Sequence, residues 1–259
     1  MRLMVNELEY VENLITNKKL STKVNFDIRL LAVYFYGQGF VQKEELVNEI
    51  SSVIDVCLGK KNVWEVQIKK AVDSHLARVK DSGYTPLKNI TSIEVYEEEL
   101  EVIQSLKDKK KEKMLFAILV YLKLTNTNYL PHELIKEVRT ISGIKRITVA
   151  SAQDIIREIL SEEYNGEQIL SKVNSQKVAI IYNFKKEEGE VAFTIKDFSD
   201  EGIPLYYDRY CGEKVKECVE CGRMLSVKGS SPKKYCDSCA KKVKNEQIKF
   251  IMSQKKVEK

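Results

Sequence analysis

The sequence predicts a mainly α-helical chain of three parts. These are a helical domain over residues 1–110, a winged-helix-like domain with a small β-hairpin over 111–204, and a four-cysteine zinc finger with a basic helix over 205–259. Three observations carry that expectation. Apolar residues recur at spacings of three and four through most of residues 5–163. Two alternating runs follow, joined by a polar Gly-containing connection. Two Cys-x-x-Cys pairs then stand 14 residues apart, the spacing of a metal site.

In the first part, Val5, Leu8, Val11 and Ile15 mark one helix, which ends near Thr16-Asn17. Residues 26–36 mark a second, with Gly37-Gln38-Gly39 as the stop and turn. A third covers 42–57, where Leu46, Ile50, Val53, Ile54 and Cys57 share a face, and Cys57 reads as a buried small hydrophobe. The fourth runs from Val63 to about Lys80 and is ended by Asp81-Ser82-Gly83. Ile93, Tyr96, Leu100, Ile103 and Leu106 predict a fifth helix over 93–107. Five lysines among the seven residues Lys107–Lys113 then read as a solvated helix end or linker, and set the first domain boundary.

The central part opens on an apolar helix, Met114 to Leu124, followed by Pro131 to Val138 and Ser151 to Glu163, with Ser151 as an N-cap. Strands over Lys177–Phe184 and Glu190–Ile195, joined by Lys185-Lys186-Glu187-Glu188-Gly189, make the hairpin. Three helices and then a hairpin is the order of a winged helix-turn-helix module. Its third helix carries Asp154, Glu158, Glu162 and Glu163 against Arg157 alone, a balance that repels phosphate. Base reading and protein docking are therefore both open for this part.

In the last part, Cys218, Cys221, Cys236 and Cys239 are the predicted ligands of one structural zinc ion. Gly222 allows the tight turn after the second ligand. Residues from Cys239 onward read as a helix, which places the last ligands at its start and favours a treble-clef arrangement over an all-strand ribbon. Cys211 reads as a spare thiol near the metal.

Charge is concentrated here. From Leu205 to Lys259 there are 14 Lys and Arg against 7 Asp and Glu, while the rest of the chain holds 29 against 31. Four thiolates and one divalent ion would reduce the net +5 by two, so the finger stays basic when metallated. Arg223, Lys228, Lys233, Lys234, Lys241, Lys242, Lys244 and Lys249 are the predicted nucleic-acid-binding residues. Lysines without a fixed aromatic or Arg and Asn pattern suit phosphate attachment better than sequence reading. A solvated basic tail is the competing account of the same residues.

No secretory signal is visible, and the longest apolar run, Met114–Leu122, has nine residues against the roughly 20 that cross a bilayer. The expectation is a cytoplasmic protein without a membrane partner. His75 and His132 have no motif around them and read as surface or cap residues. Phosphate-loop, zinc-protease and nucleophile-elbow patterns are missing from the sequence, so no enzyme activity is expected.

Cys218, Cys221, Gly222, Lys233, Tyr235, Cys236 and Cys239 stand in the order Cys-x-x-Cys-Gly, loop, Lys-x-Tyr-Cys-x-x-Cys, ahead of a Lys-rich helix. This resembles the finger that closes many proteins of phages and mobile elements of low-GC Gram-positive bacteria. Residues 113–200 resemble, more loosely, winged-helix regions of phage replication and regulatory proteins. Such fingers are attached to several kinds of phage protein and say little about activity; taken with the charge and the missing catalytic motifs, the expectation is a noncatalytic nucleic-acid-associated protein of a phage or mobile element. The alternative is a protein-interaction module, such as an inhibitor or adaptor acting on a host protein.

Overall fold

The computed structural model describes residues 6–60, 63–173, 179–227 and 234–257, with the side chains of Val173 and of 249–257 outside that description. The chain is mainly helical with small antiparallel β elements. It forms two compact units, Leu3–Thr91 and Ser92–Lys259. Among the described residues no helix is long and apolar enough to cross a membrane.

The first unit contains α1 (Glu7–Asn17), α2 (Val24–Gly37), α3 (Lys43–Leu58) and α4 (Glu65–Ser82). Each follows an amphipathic stretch of sequence. The Asn6 side chain accepts from the Glu9 amide at 2.9 Å and so starts α1. At the end of α3, Gly59 takes φ +64, a left-handed cap that glycine adopts without a steric penalty. Val11, Leu14, Ile28, Leu31, Leu46, Ile50, Ile54, Ile68 and Val72 share one core, with Cys57 half-buried at its edge. Asp27 lies inside this core, yet accepts from Tyr10 Oη at 2.6 Å and from the Ser21 amide at 2.7 Å, so its burial leaves little unsatisfied. The extended residues 84–91 are held to α1 by bonds in both directions. Glu7 N donates to Lys88 O at 2.9 Å, and Lys88 N donates to Glu7 Oε2 at 3.0 Å.

His75 corrects the surface expectation. It is 6% exposed and lies edge-on to Tyr36, with ring centroids 5.0 Å apart. Its helix face packs inward because Ile68, Val72 and His75 recur at spacings of four and three.

The second unit begins with β1 (Ile93–Tyr96) and α5 (Glu97–Ser105), so the helix expected over 93–107 is split. Ile93, Val95 and Tyr96 serve a strand as well as a helix, and here the strand is taken up by a distant partner. α6 (Lys109–Thr125) starts at Asp108, whose carboxylate accepts from the Lys110 and Lys111 amides at 2.8 and 3.0 Å. The boundary expected at 110/111 therefore falls in the first turn of a helix. Every residue from Met114 to Leu122 is buried, and α6 packs against α5 and against three later helices: α7 (Ile135–Ile141), α8 (Val149–Ile159) and α9 (Ile203–Tyr210). A helix apolar on all sides belongs at the centre of a core. Thr148, rather than Ser151, caps α8 by accepting from the Ser151 amide at 3.1 Å.

The hairpin expected between 177–184 and 190–195 does not form. β2 (Tyr129–Pro131), β5 (Leu170–Val173) and β6 (Ala179–Tyr182) make one antiparallel sheet in the order β2-β6-β5, and β3 (Glu163–Tyr164) pairs with β4 (Glu167–Gln168) as a small hairpin before it. β7 (Val191–Ile195) instead pairs antiparallel with β1, in the register Ile93 to Ile195 and Val95 to Phe193. The pairing with β1 is long-range, and alternation within a strand does not identify its partner.

Candidate metal centre and its basic surround

The finger begins after α9 with a short antiparallel hairpin, β8 (Val215–Glu217) and β9 (Met224–Ser226). Its turn carries the first ligand pair. Cys218 N donates to Arg223 O at 2.8 Å and Gly222 N to Cys218 O at 2.9 Å, while Gly222 takes φ +70. A Cβ-bearing residue at that φ is strained, which explains the glycine after the second cysteine. α10 (Asp237–Val257) supplies the other pair, with Cys236 directly before it and Cys239 in its first turn. The Val219 amide donates to Lys234 O at 3.1 Å and joins the two halves.

The four sulfurs lie within 4.8 Å of one another, and Cys221 Sγ is 3.7 Å from Cys236 Sγ. Metal–sulfur bonds of about 2.3 Å in a tetrahedron set the sulfurs about 3.8 Å apart. Cys218, Cys221, Cys236 and Cys239 are thus placed to chelate one metal ion. Cys218, Cys236 and Cys239 are buried and Cys221 is exposed. Backbone amides point at the sulfurs: Cys236 N donates to Cys218 Sγ at 3.3 Å and Cys239 N to Cys236 Sγ at 3.5 Å. Such donors, together with the helix start, stabilise thiolate charge. The hydroxyl of Ser238, 3.1 Å from Cys236 Sγ, followed by the Cys239 amide, holds the Cys236 thiol down at about 6. Sharing its proton with Cys221 and Cys236 pushes Cys239 up to about 12. Four sulfurs this close need a cation if all are to ionise. A donor set of four thiolates leaves no ligand position for water or substrate.

Leu225 and Tyr235 are the main apolar company of the ligands, a core too small to hold the finger closed without coordination. One further tie comes from outside the finger, since Met224 N donates to Asp197 Oδ2 at 3.0 Å. Nothing in the sequence signals this bond, because a backbone amide carries no side-chain signature. Sequence reasoning also misses Ser238, although its place between Cys236 and Cys239 puts it in the helix turn where a hydroxyl reaches sulfur. Cys211 is not part of the cluster; it follows α9 and interacts with Lys109 and Tyr207.

Of the predicted nucleic-acid-binding residues, Arg223, Lys234, Lys241, Lys242 and Lys244 are exposed. Lys228 and Lys233 lie outside the described residues, as does the side chain of Lys249. At 3.6 residues per turn, Cys239 and Val243 share one face of α10, and Lys241 with Lys244 lie on the opposite one. Among the described residues none of these five cations makes an ion pair. Lysines of α6 behave differently: Lys111 lies 2.7 Å from Glu162 and Lys113 lies 2.7 Å from Asp208. The run Lys107–Lys113 is therefore partly internal to the second unit rather than a free linker.

No family model matches the chain, and no curated protein or solved structure matches it.

Proposed function

We propose that the chain is a noncatalytic nucleic-acid-associated protein of a phage or mobile element, in which one structural zinc closes a basic finger that attaches to phosphate. The observation that carries this reading is the opposition on α10 between its metal ligand Cys239 and exposed Lys241 and Lys244, which have no ion-pair partner among the described residues. Coordination fixes the helix start and leaves the cationic face turned outward. Zinc is the metal that four cysteines in two Cys-x-x-Cys pairs favour, and its role here is to supply folding energy.

The second unit supports the same reading. α6, α7 and α8 with a sheet in the order β2-β6-β5 are consistent with the connectivity of a winged helix. The acidic third helix is partly neutralised, since Lys111 engages both Glu158 and Glu162. Exposed Lys145 and Arg146 precede that helix and offer phosphate contacts at its entry.

A second reading, docking to a host protein, is favoured by Val56, Leu58, Val63 and Val66, which are all exposed around the end of α3 and the start of α4. The two readings separate when Lys241, Lys242 and Lys244 are changed together to Glu in the zinc-loaded chain. Phosphate attachment predicts loss of nucleic-acid binding with the metal retained, whereas protein docking predicts little binding before or after the change.

A further inference from the structure

Beside the finger, β7, α9 and the metal-bearing turn enclose a groove of about 840 Å³. Its walls include Phe193, Phe198, Tyr206 and Tyr210, with Lys196 and Arg223 at the rim. We propose that this groove takes unpaired nucleobases of a single nucleic-acid strand. The proposal rests on the nucleic-acid reading above and specifies which form of nucleic acid is bound.

The aromatic groups are fixed rather than loose. Phe193 and Tyr206 lie nearly parallel, with centroids 6.1 Å apart and planes 20° apart, and Phe193 also meets Tyr210 at 5.9 Å. Tyr206 Oη accepts from the Lys196 and Asp197 amides, each at 3.1 Å, and Tyr210 Oη donates to Glu97 at 2.8 Å. The rings are nevertheless half-buried, so part of each remains open to the groove. A pinned, part-exposed aromatic surface stacks bases of any sequence without the entropy cost of ordering its own side chains.

Charge favours the same occupant. Lys196 and Arg223 are exposed and make no ion pair among the described residues. The two acids that line the groove are already engaged: Asp197 accepts from Met224 N, and Glu217 pairs with Arg209 at 3.1 Å. Aromatic walls below these two cations match a base with its phosphate. A duplex presents its phosphates but keeps its bases stacked inside, so it cannot use these walls. Cys221 and Gly222 line the groove as well, which makes one wall dependent on the metal turn.

The test compares the zinc-loaded full chain with Phe193→Leu, which keeps an apolar wall, and with Lys241→Glu/Lys242→Glu/Lys244→Glu. Each is titrated with a labelled single-stranded oligonucleotide and its duplex, and the sites of photocrosslinking to 5-iodouracil are mapped. The proposal predicts tighter binding of the single strand, a loss of about tenfold on Phe193→Leu for that strand alone, and crosslinks within 193–210. Equal binding of both forms, unchanged by Phe193→Leu but lost in the lysine variant, overturns the groove and leaves phosphate attachment standing. Binding of neither form overturns both; a groove that instead holds an apolar peptide shows no strand preference and no crosslink there. Crosslinks confined to α10 also overturn it.

Discussion

Lys123 Nζ lies 3.0 Å from Glu99 Oε1, and both side chains are buried, the carboxylate completely. The ammonium also donates to Glu94 O at 2.9 Å and sits 4.3 Å from the centroid of the Tyr96 ring. Glu99 in turn accepts from the Tyr96 amide at 3.0 Å and the Lys186 amide at 2.8 Å. One ion pair therefore ties α5, α6, β1 and the connection before β7, which is the scaffold that carries the aromatic groove. Burial draws the Lys123 pKa downward and Glu99 opposes that shift.

Removing only the charge of the acid leaves a buried cation without its partner. Glu99→Gln is expected to lower the stability of the second unit by about 3–5 kcal/mol. Urea unfolding checks this, with Glu98→Gln as a comparison, since its exposed pair with Lys186 is screened by solvent and should change stability far less.

Tyr207 Oη donates to Glu112 Oε2 at 2.9 Å, while its ring stacks on Phe116 at 5.1 Å. Tyr207→Phe preserves the stack and removes the donor. The expected cost is about 1–3 kcal/mol in the same unfolding measurement, from a buried acid left with the longer contact to Lys109 at 3.4 Å.

His75 gives the first unit a pH dependence. Burial, followed by the nearby Arg78, holds the folded pKa below the ordinary 6.5, so the unfolded chain binds the proton more readily. The stabilising effect of neutral His75 is complete above about pH 6.5 and is lost as pH falls through the depressed folded value. Among the described residues its buried Nε2 has no hydrogen-bond partner, so none of them offers an acceptor to the imidazolium there. His75→Phe is expected to remove the loss of stability that sets in as pH falls below about 6.5, read by thermal melts of the first unit's helices at fixed ionic strength.

Zinc removal should act locally. Chelation, or Cys236→Ser, is expected to cost the order of β8, β9 and the start of α10 while the α6 core remains folded. Hydrogen exchange checks this by loss of protection at the Cys218, Gly222 and Cys239 amides, with protection retained across Met114–Leu122. One zinc per chain in the intact protein, measured by elemental analysis, is the accompanying expectation.

The parts of this architecture that were legible in the sequence are those encoded over a few residues. Helical periodicity marks α1 to α4 and the centre of α6, and the two cysteine pairs mark the metal site with its glycine turn. Long-range pairings were not legible. Val95 meets Phe193 across β1 and β7, and Glu112, within a lysine-rich run that looks solvated, reaches Tyr207 inside the core. His75 shows the same limit, because a single polar residue on a helix face does not state whether that face is covered. The groove is hidden for a related reason: its aromatic residues come from β7, α9 and the segment between them, and converge only in the fold.

The most direct test of phosphate attachment by a zinc-closed finger is the salt dependence of binding to a single-stranded oligonucleotide, measured on the zinc-loaded chain. Attachment through Arg223, Lys234, Lys241, Lys242 and Lys244 predicts that the logarithm of affinity falls linearly with that of salt, with a slope of about −2 to −4 at roughly −0.7 per contacted phosphate, and a shallower slope when Lys241, Lys242 and Lys244 become Glu. Binding that is absent, or indifferent to salt and to those substitutions in a folded, metallated sample, would contradict it.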